Sequence, residues 1–260
     1  MLIDDLRIDA PGGSLFVRRW RTAETAQRAP VVLFHDSLGS VDLWRDFPAA
    51  LCGRSGREVI AYDRLGFGRS DAHPDRLTTD FVATEAEGGF AALRQGLAFD
   101  RFVLVGHSVG GGMAVHCAAR YPDACVALVT VAAQAFVEDH TIRGIESARG
   151  LFSDPAQFAR IAKRHGAKGE WVLDAWIGSW LAPEFADWSL DAALAQVRCP
   201  LLAIHGADDE FGTTRHPARI DALSGGPARV VILPDTGHVP HRERTTEVLD
   251  AVAEFLADLP

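Results

Sequence analysis

The sequence predicts an α/β fold, a mostly parallel sheet with helices on both faces. Three observations carry that prediction. Short runs rich in β-branched residues recur along the 260 residues, and between them apolar residues repeat at helical spacing. Most of the runs are continuously apolar rather than alternating, so each strand should be covered on both sides.

Six strands are plain: Val31-Val32-Leu33-Phe34, Val59-Ile60-Ala61-Tyr62, Phe102-Val103-Leu104-Val105, Ala127 to Val131, Leu201-Leu202-Ala203-Ile204 and Val230-Val231-Ile232-Leu233. Ahead of them, Leu2 to Ile8 and Ser14 to Trp20 flank Pro11-Gly12-Gly13, a turn signal that predicts an antiparallel hairpin at the sheet edge. The expected sheet therefore has eight strands. Helices are expected over Val41 to Leu51, Asp80 to Leu97, Val109 to Arg120, His216 to Leu223 and Thr245 to Leu256.

One interval breaks the rhythm, because far more residues separate Val131 from Leu201 than a single crossover helix requires. The expected organisation is a core of residues 1–134 and 198–260, with residues 135–197 inserted after the sixth strand as a helical cap. Four of the six tryptophans fall in this insertion. Trp171, Leu173, Trp176, Ile177, Trp180 and Leu181 form roughly one helical stripe. Such a stripe either packs the cap onto the core or lines a pocket for an acyl or aryl group.

A net charge of −9 and a pI near 5.5 oppose attraction to phosphate backbones, so nucleic acid is not an expected partner. Cys52, Cys117, Cys125 and Cys199 lie far apart without C-x-x-C spacing, which reads as free, mostly buried thiols. The first residues lack a signal peptide's basic start and apolar run, and no stretch is apolar for long enough to span a membrane. A cytoplasmic protein without a membrane partner is the expectation. Oligomeric state is not legible.

Gly106-His107-Ser108-Val109-Gly110 directly follows one strand and opens a helical segment. A serine on that sharp turn projects its hydroxyl above the sheet, and the helix start offers unpaired N–H groups and partial positive charge to an oxyanion. With Asp63-Arg64-Leu65-Gly66-Phe67-Gly68-Arg69-Ser70, Gly206-Ala207-Asp208-Asp209 and Thr236-Gly237-His238 in that order, the chain resembles the α/β-hydrolase superfamily over nearly its whole length. The resemblance is to small capped serine members, the carboxylesterases and carbon–carbon bond hydrolases.

A serine hydroxyl needs an adjacent base, and the base needs a partner to fix its tautomer. Of ten histidines, only His238 and His241 follow the final strand. The resemblance implies Ser108 as nucleophile, His238 as base and Asp209 as the acid, with Asp208 as its alternative. Relatives that carry the acid one strand earlier would nominate Glu138 or Asp139. It also implies an oxyanion hole from the backbone N–H groups of Val109 and Ser37, with Leu38 a further candidate. Asp36 occupies the place usually held by glycine in that loop. Trp176, Trp180, Glu138 and His241 are the candidate pocket residues.

Gly110-Gly111-Gly112 lacks any phosphate-loop register and reads as close helix–strand packing, and the histidine spacings match no standard metal site. No cofactor or metal is expected. The implied activity is hydrolysis of a small or medium, fairly apolar carboxylic ester through an acyl-serine. Two alternatives stand beside it: cleavage of ring-fission-type diketones, which would call on Arg64, Arg143 or Arg242 for a dianionic substrate, and a non-catalytic ligand receptor on the same fold.

Overall fold

The computed structural model describes residues 1–23, 25 and 28–259. Eight strands form one sheet: β1 (Leu2–Ala10), β2 (Gly13–Arg21), β3 (Val31–Phe34), β4 (Val59–Tyr62), β5 (Phe102–His107), β6 (Cys125–Val131), β7 (Leu201–Gly206) and β8 (Ala228–Leu233). Their order is β1-β2-β4-β3-β5-β6-β7-β8. The hairpin pairs Leu2 with Arg21 through to Ala10 with Gly13. Its turn puts Gly12 at φ 89°, which costs glycine nothing. β2 also runs antiparallel to β4, and every later pairing is parallel.

The continuous apolar runs are explained by what covers them. Even-numbered Val32, Phe34 and Leu104 share one core with Phe90 of α3 (Gly89–Leu97) and Met113 of α4 (Val109–Arg120). Odd-numbered Val31, Leu33 and Val105 share another with Leu51 of α1 (Phe47–Ser55) and Val252 of α11 (Thr245–Leu256). Each such side chain, taken fully out of water, contributes about 1.5–3 kcal/mol before entropy is counted.

Two expected helices are broken, each for a local reason. In place of one helix over 41–51, a 3-10 turn spans Val41–Trp44, and α1 begins only at Phe47. Pro48 belongs to the first turn of α1, where its missing N–H costs no hydrogen bond, and Arg45 between the two takes φ 52°. The segment 80–97 divides into α2 (Phe81–Thr84) and α3. Gly88 and Gly89 weaken the helix there, and the Tyr62 hydroxyl donates to the Glu85 carboxylate at 2.6 Å, drawing the connecting turn against the sheet.

Between β6 and β7 come α5 (Asp139–Phe152), α6 (Pro155–His165), α7 (Gly169–Trp180) and α8 (Asp191–Leu194). α6 starts where its sequence says it should: the Asp154 carboxylate accepts from the Ala156 N–H at 2.7 Å and Pro155 occupies the first turn. The remaining helices are α9 (Arg215–Leu223) and α10 (Pro240–Glu243). All four cysteines are buried and free of disulfides, with the Cys199 thiol donating to Cys125 Sγ at 3.6 Å. No described helix is long and apolar enough to cross a membrane.

Candidate active site

Loops leaving the carboxyl ends of β3, β5, β6, β7 and β8 converge on one point. Ser108 follows β5 at φ 55° and ψ −127°, a conformation that non-glycine residues seldom adopt. Its neighbours must be small for this turn to close. A Cβ on Gly106 would lie 2.2 Å from the Gly110 carbonyl oxygen, and one on Gly110 would lie 2.3 Å from that of Phe34. The glycines of the motif therefore let α4 start directly against β3 and β5.

His238 lies after β8, with Nε2 3.0 Å from Ser108 Oγ. Both Asp209 oxygens stand 2.9 Å from His238 Nδ1. Asp209 Oδ1 also accepts the N–H groups of Phe211 (2.8 Å) and Gly212 (3.1 Å), so the turn after β7 wraps around its carboxylate. Burial works against the Asp209 charge, but the hydrogen bond and charge of His238 outweigh it and hold the carboxyl below its ordinary range. For His238, burial opposes the imidazolium while the Asp209 hydrogen bond and charge favour it, and the net shift is upward from 6.5. The Nδ1 proton thus belongs to the Asp209 bond and Nε2 presents a lone pair to Oγ.

Any reaction that uses His238 as a base needs it neutral. Activity should fall as pH drops through its raised pKa, so the acid limb of kcat/KM is expected to have its midpoint above 6.5. A pH–rate profile on a neutral substrate measures it, and a midpoint below about 6 would contradict this electrostatic picture.

The oxyanion loop is braced from beneath. His35 Nε2 accepts the Arg64 N–H at 3.1 Å, its Nδ1 donates to the Asp36 carbonyl at 2.7 Å, and the Arg64 guanidinium donates to the same carbonyl at 2.9 Å. The N–H groups of Ser37, Leu38 and Val109 take part in no described hydrogen bond, as a site for negative oxygen requires. The Asp36 carboxylate is directed to one side, with Oδ2 3.5 Å from His107 Nδ1. Burial penalises its charge, yet His107 offsets this and keeps the carboxyl well below its ordinary range. His107 in turn donates through Nε2 to the His238 carbonyl at 2.7 Å, tying the oxyanion loop to the loop that carries the imidazole. Asp63, beneath the Gly66–Gly68 turn, accepts from the Val41 and Arg69 N–H groups and holds that turn in shape.

A cavity of about 270 Å³ opens above Ser108. α5 lines it with Thr141, Ile145, Ala148, Leu151 and Phe152, and α7 with Trp176 and Trp180. Phe211 closes one side, its ring 4.9 Å from that of His238 and 5.7 Å from that of Trp176. The tryptophan stripe thus divides its work. Trp176 and Trp180 reach the cavity, whereas Trp171 packs on Phe67 and His73.

Two expected pocket residues lie elsewhere. Glu138 accepts from the Thr213 N–H (2.8 Å) and hydroxyl (3.1 Å) just ahead of α9 and faces His216 and Arg215, so its carboxylate is taken up by the β7–α9 connection. It is therefore far from serving as the acid as well. His241 is buried among Trp44, Phe47 and His107, where desolvation drives its pKa well below 6.5, and it contributes packing rather than lining. Asp208 is exposed, with its N–H bonded to the Thr236 carbonyl. Sequence reasoning passed over Gln134, whose side-chain amide stands 3.3 Å from Ser108 Oγ, and over Glu210 and Phe211 at the cavity wall. It also missed the α5 lining, although Thr141, Ile145, Ala148 and Phe152 follow a helical spacing that was there to be read.

A hydroxyl, an imidazole and a carboxylate thus stand in hydrogen-bonded series at the carboxyl edge of the parallel strands, on a fold shared with hydrolases. The model of the alpha/beta hydrolase fold family matches residues 29–170, and the chain belongs to that family. Among curated proteins it is similar to the 1-acylglycerol-3-phosphate O-acyltransferase ABHD5 of Sus scrofa, with 35% identity over 44% of this chain and 32% of that one. It is also similar to a proline iminopeptidase of Lactobacillus delbrueckii subsp. lactis, with 33% identity over 37% of this chain and 34% of that one. These matches span about a third of the relatives' length. Among solved structures, the proline iminopeptidase of Mycobacterium smegmatis superposes with a TM-score of 0.78 at 22% identity, covering 98% of both chains, which is a likeness of fold.

Proposed function

We propose that the protein is a serine hydrolase that cleaves carboxylic esters of small or medium, largely apolar substrates through an acyl-Ser108 intermediate, with residues 135–197 acting as its cap. His238 takes the Oγ proton as Oγ attacks the ester carbonyl, Asp209 holds the imidazole in the receptive tautomer, and the N–H groups of Val109 and Ser37 receive the oxyanion. His238 then returns the proton to the departing alcohol. Water attacks the acyl-enzyme by the same route, and no step calls for a cofactor.

The observation that carries this reading is the cavity above Ser108. Its walls are mainly apolar, and among the described residues its carboxylates are Asp36 and Glu210 and neither arginine nor lysine lines it. The three arginines that stand as candidates for binding a dianionic dienoate are otherwise placed. Arg64 is buried beneath the oxyanion loop, its guanidinium 4.1 Å from the Phe67 ring. Arg242 donates to the Leu43 carbonyl, and Arg143 is exposed on α5 outside the lining. A fixed pair of carboxylates without a cation disfavours a dianion.

The test is a direct comparison of p-nitrophenyl esters of increasing acyl length with a ring-fission dienoate. Turnover of short and medium esters with negligible cleavage of the dienoate is expected. Faster cleavage of the dienoate would replace the ester reading, and stabilisation by an ester without product would favour the receptor reading.

A further inference from the structure

Proton accounting at Ser108 is incomplete with three residues. Oγ carries one hydrogen, and two acceptors face it: His238 Nε2 at 3.0 Å and Gln134 Oε1 at 3.3 Å. Because the Nδ1 proton of His238 is taken by Asp209, Nε2 has only a lone pair and claims the Oγ proton. One proton cannot serve both. Rotating the Gln134 amide by 180° exchanges its oxygen and nitrogen at nearly the same positions, and its N–H then donates to an Oγ lone pair. That orientation gives a donor series with one proton per bond: Gln134 to Oγ, Oγ to His238, His238 to Asp209.

The position of Gln134 is built rather than incidental. It is 4% exposed and lies on the segment leaving β6, where Ala132 is held at φ 50°, a conformation that costs a non-glycine residue energy. The Ala132 N–H is bonded to the Ile204 carbonyl at 2.8 Å. Beyond Gln134, the Ala135 N–H donates to His216 Nδ1 at 3.1 Å and the Ala135 carbonyl accepts from Leu190 at 2.8 Å. The backbone is therefore anchored on both sides of the amide, and burial pushes the His216 pKa down to about 4, which leaves its Nδ1 free to accept.

Resting on the acyl-serine reading, we infer that Gln134 is a fourth catalytic side chain, donating an amide hydrogen bond to Oγ that acts most strongly when Oγ is the leaving group. In deacylation the bond from the acyl carbon to the water oxygen forms, the bond from the acyl carbon to Oγ breaks, and Oγ takes the bonding electrons. His238, protonated by the attacking water, supplies the hydrogen that restores the hydroxyl. A donor on Oγ stabilises that departing oxygen, while during acylation the same bond serves chiefly to hold the hydroxyl toward His238.

Burst kinetics of Gln134→Leu on p-nitrophenyl butyrate test it, since p-nitrophenolate leaves readily and throws the burden on deacylation. The expected result is a kcat about tenfold lower, with KM falling alongside so that kcat/KM stays within about threefold of wild type. Unchanged kcat, or equal losses in kcat and kcat/KM, would overturn the inference. Gln134→Glu guards against a folding defect, being nearly the same shape. Its introduced carboxyl donates when protonated but only accepts when ionised, so its kcat relative to wild type should fall as pH rises, and a flat ratio would count against the role. Failure of the acyl-serine reading itself would appear in the wild-type protein, as absent fluorophosphonate labelling.

Discussion

Ser108→Ala should lower ester turnover by about 10⁶-fold and abolish fluorophosphonate labelling, leaving the roughly 10³–10⁴-fold advantage over water that an oxyanion hole and binding alone confer. The size of the effect follows from what the alanine removes. No other hydroxyl stands within hydrogen-bond reach of His238 Nε2 among the described contacts, so nothing can take over the attack. The folded state should survive, because among the described residues Oγ bonds to no backbone group, and the strained φ of 55° suits alanine no worse than serine. Thermal unfolding run beside the assay checks this. An alanine variant that is folded and still labelled would remove Ser108 from the mechanism.

Asp209→Asn should cost about 10⁴-fold in kcat with little change in KM. An asparagine amide would donate toward His238 Nδ1, forcing the proton to Nε2 and leaving no lone pair for Oγ. The variant also loses the charge that raises the His238 pKa, so the residual activity should have its acid limb at lower pH than the wild type. Because the two residues act as a unit, Ser108→Ala combined with Asp209→Asn should be no slower than Ser108→Ala alone. Residual activity within a hundredfold of wild type in Asp209→Asn would show that another group orients the imidazole.

The sheet was readable because its cause is local. Runs such as Val103-Leu104-Val105 are apolar at every position, and only coverage of both faces accounts for that. The sharp turn at residue 108 is readable for a related reason: a Cβ on Gly106 or Gly110 would fall 2.2 and 2.3 Å from backbone carbonyl oxygens, so those positions admit only glycine. The break at Gly88 and Gly89 is not legible in sequence, since amphipathic spacing persists across it and the inward pull of Tyr62 on Glu85 comes from a strand more than twenty residues away.

The pocket followed the opposite logic. Glu138 and His241 are polar and close in sequence to the helical insertion or the base, yet each is claimed by a partner on another element: Thr213 in one case, the Trp44 and Phe47 rings in the other. Gln134 belongs to no motif, and only the folded chain brings its amide to Oγ.

The amino-acid sequence alone determined a parallel α/β core, a long helical insertion after β6, and the order Ser108, Asp209, His238 along the chain. Those features leave traces in composition and spacing, because backbone sterics and burial act on neighbouring residues. The tertiary structure decided the separation of the hydroxyl, imidazole and carboxylate, the sideways contact of Asp36 with His107, and the walls of the cavity. Hydrogen bonds between loops more than a hundred residues apart, such as that from His107 to the His238 carbonyl, depend on how the sheet stacks its strands, and no local pattern encodes them.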